Sequence, residues 1–159
     1  MKIHTIILAA GEGSRMISNK AKSLQHIGGQ SMLTRIYETV SSITNETSFV
    51  VGYEKEAIIK ETKKFVGEIN ICVQEKPIGT ADAVKAALNN ISSDSQTLIL
   101  YGDVPLIKLQ TLKKMLSANE DSLTILTTEL TDPTGYGRVK KDDAGPVSYT
   151  HLRAHETEA

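Results

Sequence analysis

Short apolar runs alternate along this chain with stretches in which apolar residues recur every three or four positions, and that alternation limits the possible folds more than any other feature. Ile3 to Ala9 reads as a strand buried on both faces. Ser48 to Gly52, Ile69 to Val73, Thr97 to Tyr101 and Leu123 to Thr128 read as further strands. Between them lie helical patterns. Ser31 offers an N-cap to a helix carrying Leu33, Ile36, Tyr37, Val40 and Ile43. Glu54 to Val66 places Ile58, Thr62 and Phe65 on one face, and Lys60, Lys63 and Lys64 on a solvated one. Thr80 is the expected cap of a third helix with Val84, Ala87, Leu88 and Ile91, and Leu109, Leu112, Met115 and Leu116 mark a fourth. Strands joined through single helices imply right-handed crossovers, hence an α/β fold with a mainly parallel sheet and helices on both faces.

Such a sheet binds ligands beyond the carboxyl ends of its strands, so the loops there carry the functional information. After the first strand comes Leu8-Ala9-Ala10-Gly11-Glu12-Gly13-Ser14-Arg15-Met16. Glycines and small residues let backbone N–H groups approach a phosphate, Arg15 adds a permanent cation, and Lys22 offers a second. A Gly-rich loop by itself is equally a tight turn; the two cations favour phosphate. Neither common phosphate motif is complete. Met16 stands where the dinucleotide fingerprint needs its third glycine, and no Gly-Lys-Ser/Thr closes a P-loop.

After the third strand, Gln74 offers a donor and an acceptor to the edge of a base, and Gly79-Thr80 opens a helix. A surface glutamine with an ordinary cap is the plainer reading, and this segment alone decides nothing. After the fourth strand comes Tyr101-Gly102-Asp103-Val104-Pro105-Leu106. A carboxylate at the end of a buried strand needs a partner. Mg²⁺ held jointly with nucleotide phosphates supplies one, since that ion takes only one or two protein carboxylates; capping of a turn is the other reading.

Bulk properties exclude several classes. The net charge of -1 over 159 residues provides no field for a nucleic-acid backbone or an anionic membrane. No apolar run is long enough to span a bilayer, and the short apolar start is better explained by a buried first strand than by a signal peptide. Cys72, the one cysteine, lies in an apolar run and is expected to pack as a small hydrophobe. A cytoplasmic location is expected.

Taken in order, Leu8-Ala9-Ala10-Gly11-x-Gly13-Ser14-Arg15-Met16, Lys22, Gln74, Gly79-Thr80, the Tyr101 to Leu106 string and Asp132-Pro133-Thr134-Gly135-Tyr136-Gly137-Arg138 form a set. From about Ile3 to Gly145 the chain resembles the N-terminal uridylyltransferase domain of the bacterial bifunctional N-acetylglucosamine-1-phosphate uridylyltransferase/glucosamine-1-phosphate acetyltransferase family. The resemblance implies a Rossmann-like nucleotidyltransferase (nucleotide-diphospho-sugar transferase) fold, C-terminally truncated. It implies transfer of UMP from UTP to N-acetylglucosamine 1-phosphate, for cell-wall precursors, with Mg²⁺ as cofactor. Leu8, Ala9, Ala10, Gly11 and Gly13 would line the nucleotide; Arg15 and Lys22 would hold the triphosphate. Gln74, Gly79 and Thr80 would read uracil; Tyr101, Gly102 and Asp103 would border ribose and phosphates, with Asp103 on the metal. Gly137 would face the sugar. Arg15, Lys22 and Asp103 are thus the expected catalytic groups.

The chain departs from that family in places. Ala21 stands where the family usually has proline. A glutamate, a sugar-binding asparagine and a second metal ligand contributed by later family segments have no counterpart, nor does the acetyltransferase domain on which trimers depend, so a monomer is expected. Residues 1–145 are read as a partial nucleotidyltransferase domain. Residues 146–159 resemble translated adapter read-through and are expected to be non-native. His151 and His155 have a spacing that suits a metal on a helix, but an accidental spacing in such a tail is the reading preferred. Two alternatives stay open: another NTP transferase, of molybdenum-cofactor or other sugar-phosphate type, and a nucleotide-binding module without turnover.

Overall fold

The computed structural model of the protein describes residues 2–13, 18, 20–118, 123–134, 137–141 and 147–150. The chain forms two compact units, Met1–Ser122 and Leu123–Ala159.

The first unit runs β1 (Lys2–Leu8), a 3-10 turn (Lys22–Leu24), a short antiparallel hairpin of β2 (His26–Ile27) and β3 (Gln30–Ser31), α1 (Met32–Val40), β4 (Glu46–Val51), α2 (Lys55–Thr62), β5 (Asn70–Val73), α3 (Thr80–Ala87), a second 3-10 turn (Leu88–Asn90), β6 (Ser95–Tyr101) and α4 (Leu109–Leu116). The main sheet has the order β5-β4-β1-β6 and is parallel throughout. Ile7 lies opposite Phe49 on one side and Leu100 on the other, and Val50 lies opposite Cys72.

The central position of β1 explains its composition. His4, Thr5, Ile6 and Ile7 are all buried, since helices cover both faces of this strand. On one face Ile7, Phe49, Val51, Leu98 and Leu100 pack against Leu33, Ile36 and Val40 of α1, Ile58 of α2 and Leu112 of α4. Tyr37, Phe49 and Phe65 form an aromatic trio there, with centroids 5.1–6.4 Å apart. On the other face Ile6, Val50 and Cys72 meet Ala83 and Ala87 of α3. The Cys72 thiol accepts from Asn90 Nδ2 at 3.1 Å, and burial pushes its pKa up, so it packs as an inert small side chain. The buried His4 ring is satisfied by Ser48 Oγ at 2.8 Å.

Local signals act as the sequence suggests at α1, where Ser31 Oγ accepts from the N–H of Thr34 at 3.1 Å. Lys60, Lys63 and Lys64 are exposed, and Lys64 pairs with Glu61. Three expectations are corrected. Gly79, not Thr80, occupies the cap of α3, with φ at 132°; Thr80 is the first helical residue, and Leu88 is exposed rather than part of the apolar stripe. Leu123 to Thr128 is not a strand: these residues pair with no described strand, and Leu123, Ile125 and Leu126 are exposed. Apolar character supplies strand propensity, but a strand exists only where a neighbour completes its ladder.

In the second unit the only regular structure among the described residues is an antiparallel pair, β7 (Arg138–Lys141) with β8 (Val147–Thr150). Asp132 Oδ1 accepts from both the N–H and the hydroxyl of Thr134, an Asx-type turn at 3.0 and 2.7 Å. Residues 142–146 and 151–159, with His151 and His155, lie outside the described residues.

Candidate nucleotide site

The carboxyl ends of β1, β5 and β6 surround one cavity of about 450 Å³. Three loops build it, and each is placed by the parallel register of its strand.

Leu8, Ala9, Ala10, Gly11 and Gly13 form the first wall. Neighbouring strands hold this loop: Ala9 N–H donates to Val50 O at 2.8 Å, Tyr53 N–H to Ala10 O at 3.2 Å and Gly102 N–H to Leu8 O at 2.7 Å. The N–H groups of Ala10, Gly11 and Gly13 have no acceptor among the described residues. Gly13 is required twice over. Its φ of 70° is left-handed, and a Cβ there would lie 2.8 Å from Lys22 Cβ.

Lys22 begins the 3-10 turn and reaches across the cavity, its Nζ 2.5 Å from Asp103 Oδ2. Each side chain is about one third exposed, at 36% and 32%. The N–H of Ala21, beside it, donates to the carboxylate of Glu54, a residue held at φ 51°. A proline at position 21 would lack this donor. Arg15 lies outside the described residues.

Gln74 extends β5 by donating its N–H to Val51 O at 2.8 Å, and the residue is buried, at 8% exposure. The side-chain amide donates to Gly79 O at 3.1 Å and to Asp82 Oδ2 at 3.0 Å. Gly79 and Thr80, at the start of α3, line the same wall. Tyr101, Gly102 and Asp103 complete the enclosure from β6. Here too glycine is required, because a Cβ on Gly102 would stand 2.8 Å from Leu8 O.

The structure therefore gathers Leu8, Ala9, Ala10, Gly11, Gly13, Lys22, Gln74, Gly79, Thr80, Tyr101, Gly102 and Asp103 around one space. Gly137 belongs to the second unit, where it is exposed. Ser23, Pro77 and Ala83 also line the cavity and were not anticipated. Ser23 Oγ is buried without a hydrogen-bond partner among the described residues. Nor were Asp82 and Glu54 anticipated; their roles depend on contacts made only after folding. Asp103 is the one carboxylate among the lining residues, and no group of three or more metal-ligating side chains exists among the described residues. No described helix is long and apolar enough to cross a membrane.

A parallel α/β sheet with a glycine-rich first loop, a lysine and an aspartate at one cavity beyond its strand ends is the arrangement of a nucleotide-binding α/β domain. Residues 5–138 match the MobA-like NTP transferase domain, and the chain belongs to that family. Within it, the chain is similar to the bifunctional protein GlmU of Neisseria meningitidis serogroup C (strain 053442), with 42% identity over 147 residues, which is 92% of this chain and 32% of that protein. The chain thus spans about a third of the length of such curated relatives. Among solved structures, the fold matches HddC from Yersinia pseudotuberculosis complexed with GMP-PN (TM-score 0.69, 21% identity, 91% of this chain and 67% of that one). It also matches 4-diphosphocytidyl-2C-methyl-D-erythritol synthase from Anaerococcus prevotii DSM 20548 (TM-score 0.64, 24% identity, 97% and 65%).

Proposed function

We propose that the chain is the nucleotide-binding core of a sugar-1-phosphate uridylyltransferase, which transfers UMP from UTP to N-acetylglucosamine 1-phosphate and releases pyrophosphate. The product, UDP-N-acetylglucosamine, is a cell-wall precursor, and a cytoplasmic site of action follows from the substrates. The observation that carries this reading is the convergence of Lys22 and Asp103, from segments 81 residues apart, at a cavity walled by the glycine loop and Gln74. The 42% identity to GlmU favours the uridylyl transfer over guanylyl, cytidylyl or molybdenum-cofactor variants.

The chemistry needs few groups. A sugar phosphate is an anion at neutral pH, so its oxygen attacks the α-phosphorus of UTP without a general base. A P–O bond forms to the sugar phosphate as the bond to the β-phosphate breaks, and pyrophosphate leaves with the electron pair. Catalysis then consists of alignment and charge neutralisation. Lys22 and Arg15 would hold the triphosphate, the free N–H groups of the first loop would face its oxygens, and Gln74 with Gly79-Thr80 would hold the uracil. Gly137 would contact the sugar.

Enzymes of this family generally use a divalent metal ion. Asp103 suits Mg²⁺: it is a hard oxygen donor, partly exposed to the cavity, and this ion completes its shell with phosphate oxygens and water. When bound, the ion would supply positive charge to the triphosphate.

The experiment is a titration of the purified chain with UTP, CTP and GTP in Mg²⁺, followed by an assay of pyrophosphate release with N-acetylglucosamine 1-phosphate. UTP-selective binding with release supports the enzyme. UTP-selective binding without release supports a binding module, the second reading. Preference for GTP or CTP overturns the uridylyl assignment.

A further inference from the structure

We infer that Asp82 is a specificity-determining positioning residue: it fixes the Gln74 amide so that only an acceptor is offered to the base. This rests on the reading of Gln74 as the base-facing side chain and deepens it.

A glutamine in a binding site is ordinarily ambivalent, since its amide can turn over and present either a donor or an acceptor. Gln74 has lost that freedom. Both hydrogens of Nε2 are engaged, one by Gly79 O at 3.1 Å and one by Asp82 Oδ2 at 3.0 Å. Both partners are acceptors only at neutral pH. Turning the amide over would set its oxygen against a carbonyl and a carboxylate and break both bonds. The orientation is therefore dictated by chemistry. The amide oxygen Oε1 has no partner among the described residues, and the residue lines the cavity wall at 8% exposure. Oε1 is not sealed from the cavity, so it stands as an acceptor open to a donor from a ligand.

Asp82 is well placed to act as the lock. It sits in the first turn of α3, where the helix dipole favours a carboxylate, and its charge polarises the amide and strengthens Oε1 as an acceptor. The ligand chemistry follows. A base that carries an N–H at its Watson–Crick ring position, as uracil does at N3, satisfies Oε1. Cytosine presents a lone pair at the same ring position and faces repulsion. Asp82 thus discriminates between UTP and CTP without touching either.

The test measures Kd for UTP, CTP and N3-methyl-UTP by calorimetry on the full chain and on Asp82→Ala, Asp82→Ser and Asp82→Asn. The wild-type chain is expected to favour UTP over CTP and over N3-methyl-UTP by roughly tenfold or more, a difference of about 1.4 kcal/mol. Asp82→Ala, and Asp82→Ser with a side chain too short to reach Nε2, should bring the UTP/CTP ratio to within about threefold of unity. Asp82→Asn, whose Oδ1 accepts the same N–H, should restore most of the ratio. The Gln74 side-chain amide in ¹H–¹⁵N spectra should shift in the Ala and Ser variants before nucleotide is added. A wild-type preference for UTP that survives unchanged in folded Ala or Ser variants overturns the role of Asp82 and leaves the uridylyltransferase reading standing. A wild-type preference for CTP overturns both.

Discussion

Lys22 Nζ sits 2.5 Å from Asp103 Oδ2, so the cation proposed for the triphosphate and the carboxylate proposed for the metal are paired with one another. On the proposed reading, nucleotide binding exchanges this pair for two others, Lys22 with phosphate and Asp103 with Mg²⁺. Lys22→Ala is therefore expected to act in opposite directions. It should weaken UTP binding by about ten- to a hundredfold, the loss of one charge-assisted hydrogen bond. It should also tighten the binding of Mg²⁺ alone, because Asp103 no longer has a competitor. Calorimetry with UTP and with MgCl₂ separately reads both. Weaker Mg²⁺ binding in the variant would show that the pair does not compete with the ion.

Asp103→Asn and Arg15→Ala divide the same site differently. Asp103→Asn should remove most of the Mg²⁺ dependence of UTP affinity while leaving metal-free binding nearly intact. Arg15→Ala should weaken UTP far more than uridine, since the proposed role of its charge is toward the phosphates alone. Equal affinities in both variants and the wild type would dismantle the proposed site.

Glu54 accepts the N–H of Ala21 and has a left-handed φ of 51°. That conformation costs a non-glycine residue about 1–2 kcal/mol, which tertiary contacts must offset. The bond anchors the segment entering Lys22. Ala21 has φ −48°, close to the value a proline ring imposes, so Ala21→Pro should be accommodated by the backbone while its ring displaces the Glu54 carboxylate and removes this hydrogen bond. Glu54→Ala alone should weaken UTP binding several-fold. In the Ala21→Pro background the same change should have little effect, because the interaction is already gone. A double-mutant cycle on UTP affinity measures the coupling, and strict additivity would mean that Glu54 does not act through Ala21.

Much of this architecture is legible without coordinates, and the reason is local. Ile6 and Ile7 point to opposite faces of β1 and both are buried, so a continuous apolar run was the correct signature of a strand covered twice. Ser31 caps α1 through its own side chain, a contact spanning three residues. Leu8 to Gly11, Gly13, Gln74 and Tyr101 to Asp103 share a cavity because parallel strands bring their carboxyl ends to one edge. What stayed hidden is non-local or depends on pairing. Glu54 finds Ala21 across 33 residues, and Asp82 finds Gln74 only once α3 packs behind β5. Asp82 in a first helical turn reads as ordinary dipole compensation, which masks its second role. Leu123 to Thr128 has the composition of a strand but lacks a described partner, and composition cannot report a missing neighbour.

Gly102 donates its N–H to Leu8 O at 2.7 Å, and the approach leaves no room for a methyl group. In Gly102→Ala the added Cβ would meet a backbone oxygen held in the central strand, not a side chain able to turn away. Destabilisation of about 1–3 kcal/mol is expected, the range for overpacking at a rigid site. Urea denaturation should show a lower midpoint at an unchanged m-value. UTP affinity should fall as well, since Leu8 and Gly102 both line the cavity. A variant with wild-type stability would mean that β1 and β6 separate at this end without cost.

Glu61 links the two helices on the opposite side from α3. Its carboxylate accepts from Lys64 Nζ at 2.6 Å and from Thr34 Oγ1 at 3.3 Å, beside the Ser31 cap of α1. The hydrogen bond from Lys64 is the main cause that holds its pKa below the ordinary 4.5, with Ser31 and Thr34 assisting against the effect of burial. A carboxylate whose pKa is lower in the folded state contributes stability at pH values above its unfolded pKa. That contribution disappears as pH falls through the folded value. Between about pH 6 and pH 3 the unfolding midpoint in urea should therefore decline, and Glu61→Gln should flatten the decline while lowering the midpoint at neutral pH. Identical acid limbs in the two proteins would show that the ion pair is lost to solvent and that α1 and α2 are held together by Leu33, Ile36 and Ile58 alone.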